Sequence, residues 1–321
     1  MTVTDWRDAP SDVVQPLLLA ERTRVLDALH WDLAPALRLV EHARQRGDVP
    51  GLILRDRAGQ PAGWAFYILA NRTLQLGGLH ARTAAGLRLL LDRVLASPEA
   101  ELAQGVSCFL PAASQSLVSA LERLRFEVRV HECLEASLVS WPPAAADTVP
   151  LRQLGDVDAP AIVRLLARAY AGERAARTFA PAGRIEEWAH YVGQILTGPS
   201  LGAWRPSQSF GIDGRDGSLK AAVLTTEIAR QVAHVAQIAV DPEARRGGLA
   251  RRLLHAAGAA AAAAGMRRVT LLVDEENAAA RQLYAAFGFR PIGRWIHATR
   301  GPVPRRIGGV VVRATSRTRA A

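Results

Sequence analysis

The stretch that most constrains this chain is residues 233–252, AHVAQIAVDPEARRGGLARR. Residues 234–240 are β-compatible, Asp241-Pro242 ends the run, and Arg245-Arg246-Gly247-Gly248-Leu249-Ala250 leads into an Ala/Leu-rich helix. A helix that begins at such a turn aims unpaired N–H groups and the positive end of its dipole at whatever stands before it. Gly247, Gly248 and Ala250 carry almost nothing to block that approach. The stretch therefore reads as a strand, a cradle for an anion such as a phosphate, and a helix.

Length and composition frame that unit. At 321 residues the chain suits two domains, each able to bury its own core. Hydrophobic residues at 49% and charged residues at 22% exclude wholesale disorder. The formal charge of +10 invites a nucleic-acid reading, but Lys220 is the only lysine and the arginines are scattered. That pattern argues against a nucleic-acid partner and is met by a local patch for an anionic, nucleotide-bearing cofactor. Cys108 and Cys133 form neither a metal knuckle nor a CxxC pair, so no metal site is expected and a reducing cytoplasm is the expected setting. The N-terminus MTVTDWRDAP lacks a basic segment followed by an apolar core, and the alanine-rich run near residue 260 is short and interrupted by Gly258 and Gly265. No signal peptide, membrane span or membrane partner is expected.

Apolar spacing predicts two or three helices over 11–46, strands at 51–55, 63–69 and 73–79, and a helix over 87–96. A strand at 106–110, a helix over 114–124 and a strand over 126–139 follow. Trp141-Pro142-Pro143-Ala144-Ala145-Ala146-Asp147 has linker composition. Beyond it the order repeats: a strand at 149–154, helices at 159–171 and 185–196, strands at 207–214 and 219–228, and the opening strand and helix. A strand at 268–273, a helix at 278–287 and a strand at 291–298 close the plan. The repeat suggests a duplication. The expected division is residues 1–140, a linker at 141–148, residues 149–300, and a basic tail at 301–321 in which 310–312 could form a strand.

Residues 234–289 resemble the GNAT superfamily of acyl-CoA-dependent N-acetyltransferases. The family signature Q/R-x-x-G-x-G/A is met by Arg245, Gly248 and Ala250, and a second one by Asn277-Ala278-Ala279-Ala280, Leu283-Tyr284 and Phe287-Gly288-Phe289. The resemblance implies an α/β (α+β) protein of two tandem GNAT-like domains, each a mixed, mainly antiparallel sheet flanked by helices. It implies acetyl-CoA as co-substrate, its pyrophosphate on the backbone of Arg245, Arg246, Gly247, Gly248, Leu249, Ala250 and Arg251. The pantetheine arm would lie along Ile238, Ala239 and Val240, where the strand splays from its neighbour. Arg246 and Arg251 could equally be solvated surface side chains. Asn277 would cap its helix or anchor the cofactor.

Acetyl transfer to an amine requires a neutral amine, stabilisation of the oxyanion and a proton for the departing thiolate. By the resemblance Tyr284 is the candidate acid, against the plainer role of a packing tyrosine. His234 is the candidate base, with Glu227, Gln237 or water as competitors and a structural histidine as the plain alternative. The oxyanion would meet a backbone amide at Ile238 or Ala239. The acceptor would be a primary amine of a small molecule or a protein N-terminus. Ribosomal-protein acetyltransferases, similar in QIAVDP and NAAARQLY, carry a glutamate where Leu272 stands, which argues against their substrate. Glu173, Arg174, Glu186, Glu187 and Trp188 either bind a cationic amine or are surface.

The first half has the same shape without the signature. Thr83 falls at the Arg245 place, Arg88 at the Ala250 place, Leu121 at the tyrosine and Ser114 at the asparagine. It resembles a degenerate copy. The alternatives to an N-acetyltransferase are a non-catalytic acyl-CoA sensor and an enzyme similar to mycothiol synthase, against which the weak first cradle counts.

Overall fold

The computed structural model describes residues 1–111, 115–142 and 150–301, together with two short strands beyond them. Ser114 and most of the expected linker, residues 143–148, lie outside the described residues. In chain order the elements are β1 (Thr2–Asp5), α1 (Ser11–Leu29), α2 (Ala34–Gln45), β2 (Gly51–Arg55), β3 (Pro61–Ala70), β4 (Thr73–Ala81), α3 (Ala84–Leu95), α4 (Pro98–Leu102), β5 (Gly105–Pro111), α5 (Gln115–Arg123) and β6 (Glu127–Ser137). The second half adds β7 (Arg152–Gln153), α6 (Ala159–Ala169), α7 (Ile185–Thr197), β8 (Ala203–Trp204), β9 (Phe210–Asp213), β10 (Leu219–Ala229), β11 (Val232–Val240), α8 (Leu249–Ala263), β12 (Arg268–Asp274), α9 (Ala278–Ala285) and β13 (Arg290–Arg300). In the tail β14 (Arg305–Ile307) pairs with β15 (Val310–Val312), where the sequence allowed a strand. Three short strands, β1, β7 and β8, are new or much shorter than the spacing suggests, because two to four residues are too few to establish a period.

The chain forms two compact units that are interleaved along the sequence. One comprises Met1–Glu21, Leu37–Val130 and Arg294–Ala321; the other comprises Arg22–Ala36 and His131–Gly293. Compactness thus divides the chain inside α1, α2, β6 and β13.

In the first unit β1 to β5 lie side by side in sequence order, and the end of β13 pairs antiparallel with β5 from Trp295↔Pro111 to Arg300↔Val106. Only β4 and β5 run parallel, over Thr73–Leu76 in register with Gly105–Cys108. Leu87, Leu90, Leu91 and Val94 of α3 face the sheet together with Leu117 and Leu121 of α5. On the opposite side Val14 and Leu18 of α1 pack with Trp6, Ile53, Trp64 and Phe66.

In the second unit the order is β7-β9-β10-β11-β12, and residues 131–137 of β6 pair antiparallel with β12. Again only one neighbouring pair, β11 and β12, is parallel. Leu253, Leu254 and Ala257 of α8 and Tyr284 of α9 pack on one face. Ile162, Leu165 and Leu166 of α6 and Trp188, Val192 and Ile195 of α7 pack on the other. Trp141, expected in a linker, belongs to this unit. Its indole donates to His255 O at 3.1 Å and fills the notch left by Gly258, where a Cβ would run into the ring. Both units are therefore mixed, mainly antiparallel sheets with helices on both faces, the expected class.

Candidate active site

The site begins with a break in strand pairing. Leu224 of β10 stands opposite Gln237, yet the next residue, Thr225, stands opposite Val235, so Ala236 is an extra residue in β11. Such a bulge bends the strand that carries it. The parallel ladder between β11 and β12 ends at Val235↔Leu271, although β11 runs on to Val240 and β12 to Asp274. Beyond that point β11 pairs with β10 alone, up to Val240↔Ala221. Ile238, Ala239 and Val240 lie in this singly paired run. Their side chains join the flanking cores, so what they offer a ligand is main chain.

Next comes the turn. Asp241 caps it, accepting from Glu243 N at 3.2 Å and from Arg168 Nε at 2.8 Å. Burial works to raise the Asp241 carboxyl, but the Arg168 and Glu243 hydrogen bonds outweigh it and hold the group below its ordinary value. Arg246 adopts φ +67° and Gly248 φ +75°, on either side of Gly247, whose φ is not positive. Alternating backbone hand of this kind turns successive N–H groups toward one concave side. Gly248 N-caps α8 without a side-chain hydrogen bond, and the first helical donor to find a carbonyl is Arg252 N, on Gly248 O at 3.1 Å. The donors of residues 249–251 thus have no intrahelical acceptor. A Cβ on Gly248 would meet nothing within 4 Å, and one on Gly247 only Ala244 O at 3.6 Å. Packing within the protein does not demand small residues here, so an anion has room against the backbone. The Arg245 guanidinium turns away, donating to Ala169 O at 2.6 Å and pairing with Glu173 at 3.6 Å. Arg246 is exposed, and Arg251 lies over the Phe287 ring at 5.7 Å.

Asn277 caps α9, its Oδ1 accepting from Ala280 N at 3.1 Å. Seven residues on, Tyr284 is buried. Burial raises its phenol above the ordinary value, and the neighbouring Tyr170 adds to the shift. Tyr284 is therefore neutral at physiological pH and has a proton to give.

His234 stands elsewhere on the same strand. It is 3% exposed, its Nδ1 lies 2.9 Å from Thr270 Oγ1, and Trp31 covers its ring at 4.7 Å. Burial lowers its pKa to about 3. An imidazole that resists protonation so strongly is a poor proton acceptor near neutrality, which is a physical reason against the base role. Glu227, its competitor, is ion-paired with Arg205. Cys108 and Cys133 are buried, and burial pushes both thiols up to about 12, so neither is a thiolate nucleophile.

A cluster on the α6/α7 side joins Gln237 and Trp188, both candidates from the sequence, to Tyr170, Phe179 and Tyr191. Gln237, 6% exposed, donates from Nε2 to Tyr170 Oη at 2.6 Å and accepts at Oε1 from Tyr191 Oη at 2.9 Å. Tyr170, Phe179, Trp188 and Tyr191 form one aromatic cluster with ring centroids 4.7 to 6.3 Å apart. Their recurrence in the sequence was the available signal. Two acidic residues of the same segment are engaged: Glu187 accepts from Ala182 N and Arg184 N, and Glu173 pairs with Arg245. Trp188 is buried and Glu186 exposed, so surface and core account for this group better than recognition of a cation does.

The first unit repeats the backbone device and fills it. β3 and β4 have a register shift between Phe66 and Tyr67, opposite Gly78 and Leu76. Trp6, Trp64 and Phe66 stack with interplanar angles of 3 to 5°, and a Cβ on Gly77 or Gly78 would run into the Phe66 ring. At the following helix Thr83 Oγ1 accepts from Gly86 N at 3.1 Å, and Gly86 is held against Leu54 Cδ2, 2.6 Å from where its Cβ would stand. Arg88 pairs with Asp92. The helix start that is open at Gly248 is closed here by its own threonine. Among the described residues no cluster of His, Cys, Asp or Glu could hold a metal ion, and no helix is long and apolar enough to cross a membrane.

Residues 173–289 match the family model described as Acetyltransferase (GNAT) family. No curated protein matches the chain by sequence. Among solved structures it is similar to a GCN5-related N-acetyltransferase from Sphaerobacter thermophilus, at 20% identity over 78% of this chain and 80% of that one, with a TM-score of 0.55. A tandem GNAT protein from the clavulanic acid biosynthesis pathway is 17% identical over 80% of this chain and 84% of that one, with a TM-score of 0.54. An acetyltransferase of the GNAT family from Colwellia psychrerythraea is 15% identical over 93% and 99%, with a TM-score of 0.51. At such identities the likeness is one of fold. Residues 173–289 are thus a GNAT-family acetyltransferase domain, and the chain that carries them has the fold of a tandem GNAT protein.

Proposed function

We propose that the second unit transfers an acetyl group from acetyl-CoA to a primary amine of a small molecule or a protein N-terminus, by direct attack in a ternary complex. The observation that carries this reading is the succession of a strand unpaired on one side at residues 236–240, an uncapped helix start at Gly248 with open space before it, and the buried neutral phenol of Tyr284. In this reading the amides of residues 245–251 hold the pyrophosphate, and the main chain of Ile238, Ala239 and Val240 pairs with the pantetheine. Asn277 fixes the start of the helix that carries Tyr284. Bound acetyl-CoA supplies an activated thioester carbonyl. The acceptor nitrogen forms a bond to the carbonyl carbon, the C–S bond breaks, and Tyr284 delivers its proton to the departing sulfur. The backbone amide of Ile238 or Ala239 meets the oxyanion. Water takes the proton of the amine, because His234 is neutral down to about pH 3 beneath Trp31. The first unit acts without a cofactor of its own. The buried free thiols fit a reducing cytoplasm as the place of action.

The purified chain, given acetyl-CoA and a panel of primary amines, should release free CoA, read with a thiol reagent. Tyr284→Phe is expected to lower kcat by about a hundredfold or more, the usual worth of a general acid, while acetyl-CoA still binds. Binding without release on any amine would refute the enzymatic reading, and an unchanged rate in Tyr284→Phe would refute the acid.

A further inference from the structure

We infer that the Tyr170 hydroxyl donates a hydrogen bond to the acyl oxygen of the bound thioester and to the oxyanion that develops there, and that Gln237 and Tyr191 are positioning residues that turn its hydrogen toward that oxygen. The inference rests on the acetyl-CoA reading above and adds a side-chain donor where that reading has only main chain.

The direction of each hydrogen bond in the cluster follows from the Gln237 amide, whose nitrogen faces Tyr170 and Ile238 O and whose oxygen faces Tyr191. Gln237 Nε2 can only donate, and it reaches Tyr170 Oη at 2.6 Å and Ile238 O at 3.5 Å, the second of which can only accept. Gln237 Oε1 can only accept, and Tyr191 Oη supplies it at 2.9 Å, with Ala236 O as a further acceptor at 3.3 Å. Tyr191 has therefore spent its hydrogen within the cluster. Tyr170 accepts from Gln237, which leaves its own hydrogen to give to another acceptor. The chain of bonds runs one way, from Tyr191 through Gln237 to Tyr170.

Its end lies at the opening. Gln237 belongs to the run of β11 that has lost its β12 neighbour, next to the extra residue Ala236. Ala236 packs on the α6/α7 side, and Gln237 bonds to tyrosines of the same side, so the bulge places two consecutive residues toward one face. Tyr170 follows α6 on that face, clamped between Phe179 at 5.7 Å and Trp188 at 5.3 Å. Tyr284 comes from the helices of the other face, and Tyr170 adds to the rise of its phenol. A thioester threaded between the strands presents its sulfur toward Tyr284 and its carbonyl oxygen toward Tyr170. Burial raises the phenol of Tyr170 as well, so it donates without ionising.

Titration calorimetry on the full chain with acetyl-CoA and, separately, with CoA reads this bond without any acceptor amine, because the two ligands differ only in the acyl group. Tyr170→Phe is expected to weaken acetyl-CoA about fivefold, the worth of one neutral hydrogen bond, and to leave CoA unchanged. Gln237→Glu keeps the length of the side chain and a partner for both tyrosines, but at about pH 8 the carboxylate only accepts. Tyr170 then donates into it, and the same selective loss of acetyl-CoA is expected. A merely structural Gln237 would be served equally well by Glu. Thermal melts of both variants verify the fold. If Tyr170→Phe retains the wild-type ratio of acetyl-CoA to CoA affinity, the inference is overturned and the acetyl-CoA reading stands. If Gln237→Glu alone retains it, the positioning role is overturned. If the wild-type chain binds neither ligand, the cofactor reading falls and takes the inference with it.

Discussion

Burial of His234 makes a quantitative demand on stability against pH. The imidazole is neutral in the folded unit down to about pH 3, from an ordinary value of 6.5. Between those limits the unfolded chain binds a proton that the folded chain refuses, so stability falls as pH drops through this window and is untouched above 6.5. At pH 5 the unfolded imidazole has titrated through 1.5 units, at 1.36 kcal/mol each, which amounts to about 2 kcal/mol. This figure is insensitive to the exact folded value so long as it lies well below 5. For a unit of this size the loss corresponds to roughly 4–8 °C in Tm. The assay is urea denaturation of the full chain at pH 7.5 and pH 5, repeated on His234→Asn. The substitution carries a cost of its own from lost packing against Trp31 and lost contact with Thr270, but that cost is the same at both pH values and cancels in the difference. Other groups that titrate in this range cancel likewise. Wild type should lose about 2 kcal/mol more than the variant on acidification. Equal losses within about 0.5 kcal/mol would mean that the ring is hydrated or paired with an acid, and the argument against His234 as base would go with it.

Gly248→Ala should cost about 1–2 kcal/mol of stability from the left-handed backbone alone, since its Cβ meets no protein atom within 4 Å. Its loss of acetyl-CoA affinity should be larger, tenfold or more at about 1.4 kcal/mol per factor of ten, and equal affinity by calorimetry would place the pyrophosphate elsewhere. Thr83→Ala removes the side-chain cap of α3 and should cost about 1 kcal/mol, seen in denaturant midpoints, without changing the stoichiometry of acetyl-CoA binding; a second equivalent bound would show the first cradle to be usable. A fragment of residues 150–301 lacks Leu134, Ala136 and Leu138, each buried in the core of the second unit, and leaves the edge of β12 bare. Size-exclusion chromatography should find it aggregated, and a monomeric, cooperatively melting fragment would refute the assignment of β6.

Much of this architecture is written locally. Strand and helix periods, the turn at residues 241–248 and the asparagine cap at 277 all act within a few residues of where they are encoded, and the sequence locates them to within a turn. What escaped it depends on distant partners. A strand's alternation tells which side chains share a face, but nothing in residues 127–137 or 290–300 says which sheet they will complete. His234 has the composition of a half-exposed strand residue, and Trp31, far back in the chain, packs against its ring. Gln237 was legible as a polar residue in an apolar strand, but its orientation depends on a bulge that breaks the alternation used to read it. Trp141 sits in a proline-rich context that looks like a tether, while its notch at Gly258 lies in a helix more than a hundred residues later.

The reciprocal placement of β6 and β13 also fixes an order in time. During synthesis the strand that flanks β5 in the first unit, residues 295–300, is among the last described segments to leave the ribosome. Until then β5 has a bare edge, and the core around Leu110 and Cys108 lacks Ile296 and Ala298. Residues 131–137, by contrast, emerge early and must wait for β12. Two exposed strand edges therefore coexist while residues 138–267 are made, each a template for the wrong neighbour. The pairing of residue 111 with residue 295 gives this chain contacts of very long range for its size, and slow folding with a need for chaperone protection follows from the order in which its strands appear.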